Sequence, residues 1–207
     1  QLGTMRDIDW GTYPYVTSSS PIPGGASIGA GLPAVAIDQV IGVAKAYTTA
    51  VGAGPLPTEL LDADGEALRE RGVEFGTSTG RPRRCGWYDA VAVRFSVRLA
   101  GYSSIALTKL DVLDEFDRIR VCTAYRDPES GQEWSTVPAS TSVYERLEPV
   151  YEDLPGWKAD TTGCRAFDQL PSAARTYVER LEGLAGVPIR YVSVGPQRDQ
   201  MIVRGVG

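Results

Sequence analysis

The sequence contains no histidine at all. Any chemistry these residues support therefore proceeds without an imidazole base, an imidazole metal ligand or a Ser-His-Asp triad. Cysteine is scarce. Cys85, Cys122 and Cys164 are an odd number, widely spaced, with no Cys-x-x-Cys pair. That pattern fits reduced thiols better than a disulfide framework or a zinc site, and no metal ligand set is expected in the chain. No apolar run approaches the ~20 residues of a membrane-spanning helix, and the first residues carry no signal-peptide pattern, so the expected location is cytoplasmic. A basic surplus is missing too. The net charge is −5, which argues against a general nucleic-acid binder, because neutralising phosphates takes a basic surface. Internal repeats and low-complexity linkers are also lacking.

What remains is ample for a core: 207 residues, 43% of them hydrophobic and 23% charged, enough for one domain or a large part of one. The most concentrated chemistry lies in Gly76-Thr77-Ser78-Thr79-Gly80-Arg81-Pro82-Arg83-Arg84. Hydroxyls and glycine amides can donate to a carboxylate or phosphate, and arginine adds a planar fork that grips either anion. Cations concentrated in an acidic chain point to an anionic ligand; a solvated loop paired with surface acids is the plain alternative.

Along the chain, residues 18–33 are dense in turn residues and read as an ordered loop. Pro33 suits a first helical turn, and Ala34 to Val43 is compatible with a helix. Ala46 to Val51 reads as a short strand running into Gly52-Ala53-Gly54-Pro55, a loop able to approach a ligand closely. A short helix is expected over Glu66 to Arg71. Tyr88 to Ala100 fits a strand and a helix equally, and periodicity does not decide between them. Ser103 to Leu107 is a compact apolar run followed by Thr108-Lys109-Leu110-Asp111, and ligands in open α/β sheets sit just beyond such strand ends. A short helix over Val112 to Phe116, strands over Ile119 to Tyr125 and around Trp134, and a turn-rich segment over residues 143–165 follow. The clearest helix starts at Leu170-Pro171, with Ala174, Tyr177, Val178, Leu181 and Leu184 on one face and Gly183 or Gly186 as its stop. Ile189 to Val194 is a final buried strand, trailed by a short one over Met201 to Val203. Alternating strands and helices predict an α/β fold.

Several separated motifs then agree. Asp7-Ile8-Asp9-x-Gly11-Thr12-Tyr13-Pro14-Tyr15-Val16-Thr17-Ser18-Ser19 resembles the central signature of the adenylosuccinate synthetase family. Val51-Gly52-Ala53-Gly54-Pro55-x-Pro57-Thr58-Glu59-Leu60, Thr79-Gly80-Arg81-Pro82-Arg83-Arg84-x-Gly86-Trp87 and Leu107-Thr108-Lys109-Leu110-Asp111-Val112-Leu113-Asp114 resemble that family in the same order. So does Gly186-Val187-Pro188-Ile189 before a strand ending at Gly195-Pro196. Long motifs in register are far more specific than a lone glycine pattern.

The resemblance implies a mainly parallel sheet with flanking helices, a P-loop-NTPase-like synthetase fold, of which residues 1–207 form the C-terminal portion only. The implied reaction joins inosine monophosphate (IMP) to L-aspartate. GTP first phosphorylates the purine oxygen, and the aspartate amine then displaces phosphate. The family's N-terminal half holds its phosphate loop, aspartate base, catalytic histidine and Mg2+ ligands, so no catalytic residue is expected here and the isolated 207 residues are expected to be inactive. The family enzyme is a homodimer. By resemblance, Thr77, Ser78, Thr79, Gly80, Arg81 and Arg83 form the aspartate loop, with Arg81 also on the IMP ribose and Arg83 on GTP. Pro82 replaces an arginine common in the family, which removes a cation and stiffens the loop. Thr17 matches an IMP-phosphate hydroxyl and Val51 a backbone contact to the IMP sugar. The alternatives are a loop-capping hydroxyl for Thr17 and core packing for Val51. Gln1 and Leu2 stand, offset by one residue, where the family places an IMP-contacting glutamine, and Trp10 stands where many members have histidine. Lys109, Leu110 and Asp111 resemble a guanine-recognition run, in which the carboxylate accepts from the base N1 and N2 groups and the lysine stem lies along the ring. Ser193, Val194 and Gly195 would complete the guanine pocket through backbone groups. Readings left open are a nucleotide-binding module without catalysis, one half of a split enzyme, and a related purine nucleotide such as a deoxyguanylate as acceptor.

Overall fold

The computed structural model describes residues 2–77 and 80–205. Its helices are α1 (Leu2–Met5), α2 (Pro23–Ala30), α3 (Ala63–Arg71), α4 (Ala90–Ala100), α5 (Thr141–Arg146) and α6 (Ser172–Ala185). Its strands are β1 (Ile41–Lys45), β2 (Thr48–Ala50), β3 (Arg84–Gly86), β4 (Tyr88–Asp89), β5 (Ser104–Thr108), β6 (Arg118–Arg126), β7 (Glu133–Trp134), β8 (Glu148–Pro155), β9 (Ile189–Ser193) and β10 (Met201–Val203). The expected Gln1, Ser78 and Thr79 contacts lie outside the described residues.

The central sheet runs β1-β5-β9-β10, with the first three strands parallel and β10 antiparallel to β9. Its middle strands place Ile105, Leu107, Ile189 and Val192 in the core, all of them buried. Helix α6 supplies the largest cover. Ala174, Tyr177, Val178, Leu181 and Ala185 form its buried stripe, and Gly186 stops it in the left-handed conformation at φ 74°. The Tyr177 hydroxyl donates to the Ala46 carbonyl at 2.6 Å, fixing the chain just after β1.

A second sheet, mostly antiparallel, is built on β6, which pairs with β4, β7 and β8. Helix α4 lies between the two cores. Ala90 and Val93 pack into one, Val91 and Ala92 into the other. The helix's apolar Val91, Val93, Phe95, Val97 and Leu99 fall at alternate positions, which mimics a strand and is why Tyr88 to Ala100 has ambiguous periodicity. Local signals decide it: the Asp89 carboxylate caps the Ala92 amide at 2.9 Å, and Gly101 ends the helix at φ 64°.

Four expectations are corrected. Ala34 to Val43 is not a helix; a single 3-10 turn at 34–36 leads to β1, whose Gly42 leaves room for the Tyr102 ring. Residues 18–33 are not all loop, since Pro23 at the first turn and left-handed Gly31 bound α2. None of its residues is buried, so no periodicity announces it. The turn-rich segment 143–165 contains the end of α5 and the eight-residue β8. Its Pro149 and Pro155 are tolerated because β8 pairs on one side only, with β6. Val112 to Phe116 gives only a 3-10 turn over Leu110–Leu113.

Candidate functional site

Parallel pairing in register brings the carboxyl ends of β1, β5 and β9 together, Lys45 beside Thr108 and Leu107 beside Val192. Lys109 follows β5 in the left-handed conformation at φ 62°, uncommon for a residue with a side chain. That turn sends its ammonium back to the Gly72 carbonyl (2.5 Å) and to Glu74 Oε1 (2.8 Å). Two residues on, Asp111 carries a buried Oδ1 with no hydrogen-bond partner among the described residues. Burial and the neighbouring Asp114 push its carboxyl up from the usual carboxylate range. An orphaned buried acceptor is costly and calls for an unseen donor. Beside it opens a cavity of about 630 Å³ lined by Thr108, Lys109, Asp111, Ser193, Gly195 and Arg198. Leu110 is wholly buried, so only its backbone can face a ligand. At the β9 end, the Ser193 hydroxyl donates to the Gly195 carbonyl (2.9 Å) and the Val194 amide to the Gln200 carbonyl (3.0 Å), so both of those donors are already engaged.

The loop expected to bind an anion is a narrow hairpin. Phe75 bridges Pro82, the Arg83 amide donates to the Glu74 carbonyl (2.9 Å), the Gly76 amide to Arg81 (2.8 Å) and the Gly80 amide to Gly76 (2.8 Å). This corrects one expectation: the glycine amides at 76 and 80 are spent on the loop's own ladder and do not face outward. Thr77 and Arg81 are exposed near its tip, and Gly80 turns at φ 63°. Arg83 is half-buried, and its Nε is buried without an acceptor among the described residues.

Glu74, at the neck of that hairpin, is the residue sequence reasoning missed. Its side chain is 0% exposed. Oε1 accepts from Lys45 Nζ (2.7 Å), the Tyr47 hydroxyl (2.6 Å) and Lys109 Nζ (2.8 Å), while Oε2 accepts from Arg83 Nη1 (2.8 Å). Burial alone would push this carboxyl up; the hydrogen bonds from Lys109, Lys45 and Tyr47 outweigh it and hold it down to about 2. Gly72 admits this arrangement, since a Cβ there would collide with the Tyr47 hydroxyl. Val73, β-branched and at φ 49°, is strained to present Glu74. Nearby Cys85 is no nucleophile: it is buried, and its thiol is pushed up to about 11.

Beyond β2, Arg6 gathers Thr17 and Val51. Its carbonyl accepts from the Thr17 amide (2.8 Å), and its guanidinium donates to the carbonyls of Tyr15 (2.7 Å), Val51 (2.9 Å) and Ala53 (3.2 Å). Arg84 holds the same loop through the Gly52 and Gly54 carbonyls while paired with Glu59. The Thr17 hydroxyl pairs with Ser19 at 3.2 Å, a loop-closing bond. Val51 is 64% exposed, which rules out the core-packing alternative for its side chain. Asp7 organises the preceding turn by accepting from the Asp9 and Trp10 amides and from Ser20. Among the described residues no group of three or more His, Cys, Asp or Glu side chains is placed to hold a metal ion.

Fold and site together define an α/β domain with a cleft at the carboxyl ends of parallel strands, rimmed by lysine and arginine. The chain belongs to the adenylosuccinate synthetase family, whose model matches residues 1–202. It is 59% identical over 201 residues to the adenylosuccinate synthetase of Trichlorobacter lovleyi, covering 97% of this chain and 46% of that protein. To the Thermomicrobium roseum enzyme it is 56% identical over 205 residues, covering 99% and 47%. The solved structure of fully ligated adenylosuccinate synthetase from Plasmodium falciparum matches with a TM-score of 0.94 and 42% identity, over 98% of this chain and 48% of that one. The cyanophage S-2L succinoaminodeoxyadenylate synthetase bound to dGMP and dATP matches over 97% of this chain and 43% of that one, with a TM-score of 0.57 and 16% identity, a likeness of fold alone. The chain spans about half the length of the curated relatives it matches.

Proposed function

We propose that residues 1–207 are the C-terminal part of an adenylosuccinate synthetase, a GTP-dependent ligase joining IMP and L-aspartate in purine nucleotide biosynthesis. In this proposal the chain supplies the guanine pocket, the aspartate loop and part of the IMP site. The observation that carries it is the orphaned Asp111 Oδ1 beside the cavity at the carboxyl end of β5. A guanine base offers N1–H and N2–H, the two donors such a carboxylate can take together. The Lys109 stem would lie on the base, and the backbone at Ser193, Val194 and Gly195 would close the pocket.

In the loop at 77–83, Thr77, Ser78, Thr79 and Gly80 would frame the aspartate carboxylates, with Arg81 and Arg83 supplying charge. Arg81 would also meet the IMP ribose, and Arg83 the GTP phosphates, where its unpartnered Nε and the cation surplus around Glu74 favour an anion. Thr17 would hold the IMP phosphate, the Val51 backbone the IMP sugar, and Gln1 the nucleotide. The reaction moves the GTP γ-phosphoryl to the purine oxygen, releasing GDP; the aspartate amine then forms the new C–N bond as phosphate leaves. These residues position and neutralise the anionic partners, and in that family-based picture the base, the histidine and the Mg2+ ligands come from residues outside this chain. A homodimer and a cytoplasmic location belong to the same proposal; no helix of the described residues is long and apolar enough to cross a membrane.

The test is product analysis by mass spectrometry on the protein containing this chain. Adenylosuccinate formed from IMP and aspartate only when GTP is present is the expected result, with none from the isolated 207 residues. No product from the whole protein would overturn the proposal. GTP binding without turnover in the whole protein would instead identify a nucleotide-binding module without catalysis.

A further inference from the structure

We propose that Glu74 is a positioning residue that couples the guanine pocket to the anion loop, resting on the assignment of those two subsites above. One carboxylate serves both. Oε1 receives the Lys109 ammonium at the pocket, and Oε2 receives the Arg83 guanidinium at the neck of the loop. Oε1 also accepts from Lys45 and the Tyr47 hydroxyl, so three donors crowd that one oxygen while Oε2 takes Arg83. Three cations thus share a single acid, a surplus of positive charge held where Lys45, Arg83 and Lys109 are each only a quarter to a third exposed.

Backbone geometry supports a role in placement. The two non-glycine residues forced to positive φ in this region, Val73 and Lys109, are the neighbour of Glu74 and its partner. Strain of this kind persists where surrounding contacts over-determine a position. The backbone of Glu74 also holds the hairpin, its carbonyl taking the Arg83 amide and its amide donating to Arg69. A shift of the Glu74 side chain therefore moves the lysine beside the base and the arginine of the loop together. Neither Thr17 nor Val51 bonds to Glu74; Arg6 and Arg84 hold that loop, and the hub reaches its flanking strand through Lys45, which donates to the Thr49 hydroxyl at 2.8 Å.

The consequence is specific to ligand. In the whole protein, Glu74→Gln leaves Lys109 and Arg83 without a shared anion, so the KM for GTP and the KM for aspartate each rise about tenfold or more, while the KM for IMP, which meets only Arg81 of this loop, rises by no more than about threefold. A merely structural glutamate gives another pattern: a lower melting temperature with all three KM values near wild type, or all three raised alike. Either pattern overturns the proposal, as does a rise confined to one of GTP and aspartate. If Glu74→Gln does not fold, the charge-balanced Glu74→Gln/Lys45→Met variant removes one cation with the anion and is expected to show the same selective pattern. Failure of the subsite assignment looks different. There the wild-type protein itself shows no dependence on GTP or aspartate, which removes the basis of the coupling as well.

Discussion

Arg83 meets Glu74 twice, through its amide to the Glu74 carbonyl at 2.9 Å and through its guanidinium to Glu74 Oε2 at 2.8 Å. The double contact closes the neck of the 75–82 hairpin, so the cation-rich loop is mounted on a buried charge cluster and does not hang from the surface. Removing the carboxylate strands Lys45, Lys109 and Arg83. Glu74→Leu is expected to cost about 3–5 kcal/mol in urea unfolding, the range for breaking a buried ion pair from one side. A cost below about 1 kcal/mol would show that the cations relax freely into solvent.

Asp89 provides a test of the second core by pH. It is buried, caps α4 and accepts from the Tyr125 hydroxyl at 2.6 Å, yet burial pushes its carboxyl up to about 6. The folded protein therefore holds the proton more tightly than the unfolded chain. That contribution to stability is full below the ordinary carboxylate value and is lost as pH rises through about 6. Glu74 has the opposite sign, its contribution being lost as pH falls from the ordinary glutamate value through about 2. Asp111 and Asp114 are raised, like Asp89. The difference between wild type and Asp89→Asn isolates the one group, since asparagine caps a helix as well as aspartate. Between pH 4.5 and 6.5 the wild type should lose about 2 kcal/mol relative to the variant. Parallel stability curves would contradict this.

Much of the fold was readable where burial is simple. Ser103 to Leu107 and Ile189 to Val194 bury Ile105, Leu107, Ile189, Val192 and Val194 in the core and stand out as short, largely apolar segments, and α6 shows its stripe because only one side of it is buried. Helix α4 carries apolar residues at alternate positions from Val91 to Leu99, which imitates a strand, and α2 buries none of its residues, so periodicity decides neither. The motif residues of the site are local in sequence and could be matched one run at a time. Glu74 could not. Its partners Lys45, Tyr47 and Lys109 lie 29, 27 and 35 residues away, and nothing local to the Val73-Glu74-Phe75 run announces that the carboxylate is buried.

Arg6 and Arg84 make a prediction about the glycine loop. Arg6 spends its guanidinium on three main-chain carbonyls, and burial together with the nearby Arg84 charge lowers its pKa. Arg6→Met removes those donors without removing the stem. Amide exchange at Gly52 and Gly54 should speed up roughly tenfold, the loss of one ordinary charged hydrogen bond. Unchanged exchange would assign the loop's order to Arg84 alone.

Asp111 carries the central claim, and calorimetric titration of the protein with GTP and with inosine triphosphate (ITP) tests it most directly. The two differ by the exocyclic N2 group, one of the two donors assigned to this carboxylate. GTP should bind about tenfold more tightly than ITP to the wild type, and Asp111→Ala should weaken GTP by about 100-fold while bringing the two nucleotides level. Equal affinities of GTP and ITP for the wild type, or an Asp111→Ala variant that still prefers GTP, would contradict the guanine pocket.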